Sequence, residues 1–87
     1  MADNPKIESL SPKNGSAEGG YSVTIHGEHF TNTTDVWWNG KVVSFVAESI
    51  KVVKIEEAPA GTAGLRIPVK LKADGHLSNE VFFQYDN

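Results

Sequence analysis

The sequence predicts an all-β fold, a sandwich of about seven strands in two antiparallel sheets. Three observations predict it. Short runs rich in Val, Ile, Thr, Phe and Trp recur at regular spacing, and clusters of Gly, Pro, Asn and Ser separate them. Two dipeptides, Asn39-Gly40 and Asp74-Gly75, follow such runs, and both tolerate the positive φ that a two-residue hairpin demands. No stretch reads convincingly as a helix. Ser49 to Glu57 has helical propensity, but its β-branched Val52, Val53 and Ile55 favour a strand.

Taken in order, Met1 to Pro5 reads as an N-terminal extension or linker, and residues 6–87 as one domain. Lys6 to Leu10 is a short strand with Ile7 and Leu10 apolar. Ser11 to Ser16 is a turn cluster in which Pro12 marks an edge or a break. The organising stretch follows. Gly19-Gly20 turns the chain, Tyr21 to His26 alternates as a strand with one dry face, Gly27 ends it, and Phe30 plugs the polar loop that runs to Thr34. Asp35 to Trp38 is a strand, Asn39-Gly40 the turn, and Lys41 to Val46 the return strand. The run to Glu57 has two possible phases, with Val53 and Ile55 inward or Val52 inward across a bulge. Ala58 to Gly64 is a small-residue turn. Leu65 to Lys72 alternates with four aliphatics on one face, and Asn79 to Tyr85 places Val81, Phe83 and Tyr85 in phase. The expected core is Val23, Ile25, Phe30, Trp38, Phe45, Ile67, Val69, Phe83 and Tyr85.

Composition narrows the function classes. An 87-residue chain builds only a modest core, and with no cysteine no disulfide reinforces it. The formal charge of -3 counts against direct nucleic-acid binding, which relies on basic side chains. No apolar run is long enough to insert in a membrane. The start lacks the basic and apolar regions of a signal peptide.

Nothing reads as catalysis. There is no Gly-x-Ser-x-Gly elbow, no carboxylate pair in an apolar run, and Gly19-Gly20 precedes a strand, so no helix N-terminus is offered to a phosphate. His26, Glu28, His29 and Asp35 lie close in sequence, but their spacing matches no zinc or calcium pattern, and a solvated loop is the better reading. We therefore expect no metal and no cofactor. Asn14-Gly15-Ser16 and Asn32-Thr33-Thr34 are glycosylation sequons in expected loops.

The tandem Trp37-Trp38 is the most informative pair, because neighbouring strand residues face opposite ways. If Val36 and Trp38 share the core, Trp37 faces out. The same alternation turns Phe82 outward on the last strand, and Arg66, Pro68, Lys70 and Lys72 outward on the strand before it. Trp37, Arg66, Pro68, Lys70 and Phe82 are then candidates for one contact patch, with a basic side chain stacked on a ring. The competing reading is that the basic arms only cover the rings. Pro68 sits awkwardly in a central strand, where it donates nothing to the ladder.

The chain resembles IPT/TIG domains. Pro5-Lys6-Ile7 followed by Leu10 to Gly15 resembles the opening of that family, Gly19-Gly20 with Val23 to Gly27 and Phe30 its central signature, Pro59-Ala60-Gly61 with Gly64 its penultimate turn, and Phe83-Gln84-Tyr85 its closing strand. Two features depart from the family pattern: Trp37 stands where a smaller residue is usual, and Lys51 to Pro59 is about one residue longer. The resemblance implies an immunoglobulin-like (early-set) sandwich without catalytic activity. With the sequence start lacking a signal peptide, the leading expectation is an interaction or spacer module of a larger surface-exposed or virion protein, with a protein partner or flanking domains of the same chain. The alternatives the resemblance implies are a carbohydrate-binding accessory domain of a glucan-acting enzyme and a dimerisation domain of a transcription regulator. A fold alone does not choose among them.

Overall fold

The alternating runs form two sheets packed face to face. The computed structural model describes residues 4–86. Its strands are β1 (Lys6–Ser11), β2 (Asn14–Gly15), β3 (Val23–Glu28), β4 (Thr33–Trp38), β5 (Lys41–Val42), β6 (Phe45–Ser49), β7 (Val52–Ile55), β8 (Arg66–Ala73), β9 (His76–Leu77) and β10 (Val81–Tyr85). One sheet has the order β1-β3-β7-β6. The other has the order β2-β10-β8-β4-β5, with β9 paired to β8. Three of the ten strands are two-residue pieces, which leaves the seven substantial strands expected of an immunoglobulin-like sandwich.

Each inner face follows from the period of two. Val23 and Ile25 on β3, Val36 and Trp38 on β4, Ile67, Val69 and Leu71 on β8, and Phe83 and Tyr85 on β10 are all buried. Phe30 is buried as the expected plug. Val53 and Ile55 point inward, which decides the phase of β7. Val53 pairs with Ile25 and Ile55 with Val23, so the dry face of β3 fixes that of its neighbour. Asn39 and Gly40 have φ of 53° and 82° and close the β4–β5 hairpin, while Asp74 and Gly75 close that of β8–β9.

Several expectations need correction. The second sheet is mixed, because β2 runs parallel to β10 after the chain turns at Ser11-Pro12, a cis peptide. Asn14 therefore lies in a short strand and not in a loop. The return strand Lys41 to Val46 divides between the sheets: β5 pairs with β4, and β6 pairs with β7. Phe45 stands just after that crossing on an edge strand, so it is half-buried against the core instead of within it. Gly27 lies inside β3, opposite Ile7, and does not end it. The last strand begins at Val81, which is half-buried. Of the expected extension, residues 1–3 lie outside the described residues, Asn4 is exposed and Pro5 is buried.

Pro68 is accommodated in the central strand β8 by where its missing donor points. Its carbonyl accepts a hydrogen bond from the Asn39 N–H at 2.9 Å, so the side lacking an N–H faces the point where β4 gives way to its turn. Its other edge faces Phe82 of β10 in regular register. No interior rung of the ladder is lost.

An aromatic cluster anchors one pole of the sandwich. The Trp38 and Phe83 ring centroids lie 4.7 Å apart, and Phe83 meets Tyr85 edge-on at 5.5 Å. Trp38 Nε1 donates to the Tyr85 hydroxyl at 2.8 Å, and that hydroxyl donates to the Pro59 carbonyl at 2.7 Å. Both buried polar tips are thereby satisfied. Near the other pole Asn79 holds β1: its Oδ1 accepts from the Ile7 N–H at 2.7 Å and its Nδ2 donates to the Ile7 carbonyl at 3.0 Å. A side-chain amide thus completes the pairing of a backbone at a bulge between Ile7 and Ser9.

The molecule measures 43 × 19 × 19 Å. Five strands abreast span about 19 Å at the usual spacing, so the long dimension runs along the strands. The chain enters at Lys6, opposite Glu28, and leaves beyond Tyr85, beside Pro59. Entry and exit are at opposite poles.

Candidate contact surface

The candidate patch lies on the outer face of the larger sheet, where β10, β8 and β4 are adjacent. Phe82 is opposite Pro68 and Trp37 is opposite Lys70, so the five sequence-predicted residues share one face. Phe82 is 50% exposed, Arg66 is exposed, and Trp37, Pro68 and Lys70 are half-buried. The Arg66 guanidinium stands 4.9 Å from the Phe82 ring centroid, and Lys70 Nζ stands 6.0 Å from that of Trp37. Both are within cation–π range. Lys70 also meets Glu80 at 3.8 Å, a partly exposed pair that contributes little to stability.

Two apolar residues of this face were not read from the sequence. Val42 is opposite Trp37 and 63% exposed, and Leu77 is opposite Lys72 and 55% exposed. The hairpin signal held the information for Val42. A two-residue turn at Asn39-Gly40 pairs Trp38 with Lys41 and Trp37 with Val42. The apolar band therefore crosses four strands, from Phe82 through Pro68 and Trp37 to Val42.

Elsewhere the groups considered for metal chemistry are divided between the two sheets. His26 is half-buried on the outer face of β3, Glu28 is at the exposed end of that strand, and Asp35 is on β4 beside Lys72 in the other sheet. Among the described residues no three His, Asp or Glu side chains form a group able to hold a metal ion. A shallow cavity of about 100 Å³ opens at the Tyr85 pole between Trp38, Lys41, Pro59, Leu65 and Tyr85. Nearby, burial pushes the Tyr21 hydroxyl pKa upward, with Tyr85 and Asp86 adding to the effect. That hydroxyl donates to the Ser16 carbonyl at 2.7 Å.

The outer-face placement has a direct consequence for stability. Trp37→Ser combined with Phe82→Ser should keep the unfolding free energy within about 1 kcal/mol of the parent in a urea melt, since neither ring fills the core. A loss comparable to that of a core truncation would contradict the placement of both rings.

The sequence matches the IPT/TIG domain family over residues 5–85. No curated protein matches it. Among solved structures, a gamma-CGTase from alkalophilic Bacillus clarkii superimposes with a TM-score of 0.75 at 21% identity, covering 95% of this chain and 12% of that one. SGBP-B, from a complex xyloglucan utilization locus in Bacteroides uniformis, gives 0.73 at 20% identity, covering 99% of this chain and 24% of that one. The TIG domain of human nuclear factor of activated T-cells, cytoplasmic 4, gives 0.69 at 15% identity, covering 94% and 87% respectively. The chain thus spans a small fraction of the first two proteins and most of the third. These likenesses establish the fold, and the family match covers all ten strands: the chain belongs to the IPT/TIG domain family.

Proposed function

We propose that this domain is a non-catalytic, in-line interaction and spacer module of a larger surface-exposed protein. The observation that carries the reading is the placement of chain entry and exit at opposite poles of a 43 Å axis. A module built this way adds its full length between its neighbours. The surface context draws support from similarity to the extracellular region of plexin A4, with a TM-score of 0.71 at 21% identity, covering 97% of this chain and 10% of that one. The contact face in this reading is the Phe82–Pro68–Trp37–Val42 band. Its rim of Arg66, Lys70 and Lys72 suits an acidic or mixed-charge protein surface. A sugar platform is the less favoured reading, because a pyranose ring would have to displace Arg66 and Lys70 from the two aromatic faces.

The test is a tandem of two copies joined directly, studied by small-angle scattering. An in-line module gives a maximum dimension about double that of one copy, whereas a compact, folded-back pair would overturn the reading.

A further inference from the structure

We propose that Asn39 is a site of spontaneous deamidation, and that the isoaspartate it yields releases β5 from the sheet. The Gly40 amide nitrogen attacks Asn39 Cγ and gives up its proton. The bond from Cγ to the side-chain nitrogen breaks, and ammonia leaves. Water then opens the five-membered imide. Cleavage at Cγ leaves a normal aspartate, and cleavage at the backbone carbonyl leaves a peptide that runs through the side chain. No oxidant or enzyme enters the balance.

The structure separates Asn39 from the other asparagines. Asn39 and Gly40 are exposed at the tip of a turn, and among the described residues neither the Asn39 side chain nor the Gly40 N–H carries a hydrogen bond. Space around Gly40 is open, since a Cβ built there meets nothing within 4 Å. The other Asn-Gly pair, Asn14-Gly15, has the same intrinsic chemistry and opposite surroundings. Asn14 Nδ2 donates to Asp86 Oδ1 at 2.8 Å, both residues pair with β10, and a Cβ at Gly15 would stand 2.8 Å from the Tyr21 ring. Asn79 is held at both ends by Ile7. Asn32 precedes the β-branched Thr33, which shields the attacking nitrogen, and Asn4 precedes Pro5, which has no N–H.

The consequence follows from register. A two-residue hairpin closes only if the turn has the normal number of backbone atoms, and isoaspartate adds one. β5 is held by just two pairs, Trp38 with Lys41 and Trp37 with Val42, together with the Val43 N–H bonded to the Val36 carbonyl at 3.0 Å. Their loss would detach Val42 from the apolar band.

Peptide mapping by mass spectrometry after incubation at mildly alkaline pH tests the selectivity, through the one-dalton gain. In the native protein Asn39 should react at least about tenfold faster than Asn14, which must first open its pairing. In denaturant the two should react at comparable rates. Asp86→Ala should speed Asn14 and leave Asn39 unchanged. Equal native rates, or a faster Asn14, would overturn the assignment. The isoaspartate form, isolated by ion exchange, should show faster amide exchange at Val43 with Ile25 unaffected. Unchanged protection at Val43 would overturn the release of β5.

Discussion

Trp38→Ala should destabilise the domain by about 3–5 kcal/mol in denaturant unfolding, the range for truncating a buried aromatic. Trp38 is 1% exposed and packs on Phe83 and Tyr85, so its removal opens a cavity in the centre of the aromatic cluster. It also removes the donor to the Tyr85 hydroxyl, whose remaining hydrogen bond to the Pro59 carbonyl holds the 58–64 turn. Small domains fold with total stabilities near the low end of about 5–15 kcal/mol, so this one change removes most of the margin. Trp37→Ala is the internal control. Its ring is half-buried on the outer face beside Lys70, and its loss should cost about 1 kcal/mol or less. Equal losses for the two tryptophans would mean that the inner and outer faces of β4 are wrongly assigned.

That contrast was legible in the sequence because strand phase is local. One anchored residue, Trp38 beside Val36, fixes its neighbour Trp37, and the same alternation places Phe82 and Pro68 outward. The face followed from these phases once β4, β8 and β10 were set side by side by the immunoglobulin-like topology. What was not legible depends on partners distant in sequence. Val52 and Val53 are adjacent and equally apolar, so only pairing with Ile25 decides between them. Nothing between Lys41 and Val46 signals that the strand leaves one sheet for the other, which is why Phe45 was expected deeper than it lies. The amide clamp of Asn79 on Ile7 joins residues 72 positions apart and has no local signature. Pro68 looked like a conflict only because sequence does not say which strand edge its nitrogen faces.

Gly27→Ala should cost about 3 kcal/mol, at the top of the range for overpacking, although the substitution adds a single methyl group. The reason is space, since Gly27 does not occupy the left-handed φ region. A Cβ at this position would collide with the Lys6 carbonyl oxygen, and it would stand 2.6 Å from Phe30 Cζ. Neither obstacle moves freely. Lys6 and Ile7 are held in register with Glu28 and Gly27, and Phe30 is buried and tied by its N–H to the Ile50 carbonyl at 2.7 Å. On the other side, the Gly27 N–H donates to the Lys51 carbonyl at 2.9 Å, so β3 cannot retreat without breaking that bond. Gly75→Ala separates crowding from backbone conformation. Gly75 has φ of 79° but open space around it, and alanine there should cost only about 1–2 kcal/mol. Phe30→Leu in the Gly27→Ala background should recover part of the loss by shortening the ring side of the clash, with the carbonyl side remaining. A double-mutant cycle reads this coupling directly. Full recovery would show that the Lys6 backbone is no obstacle, and a Gly27→Ala cost no larger than that of Gly75→Ala would show that β1 and β3 do not approach as closely as the structure has them.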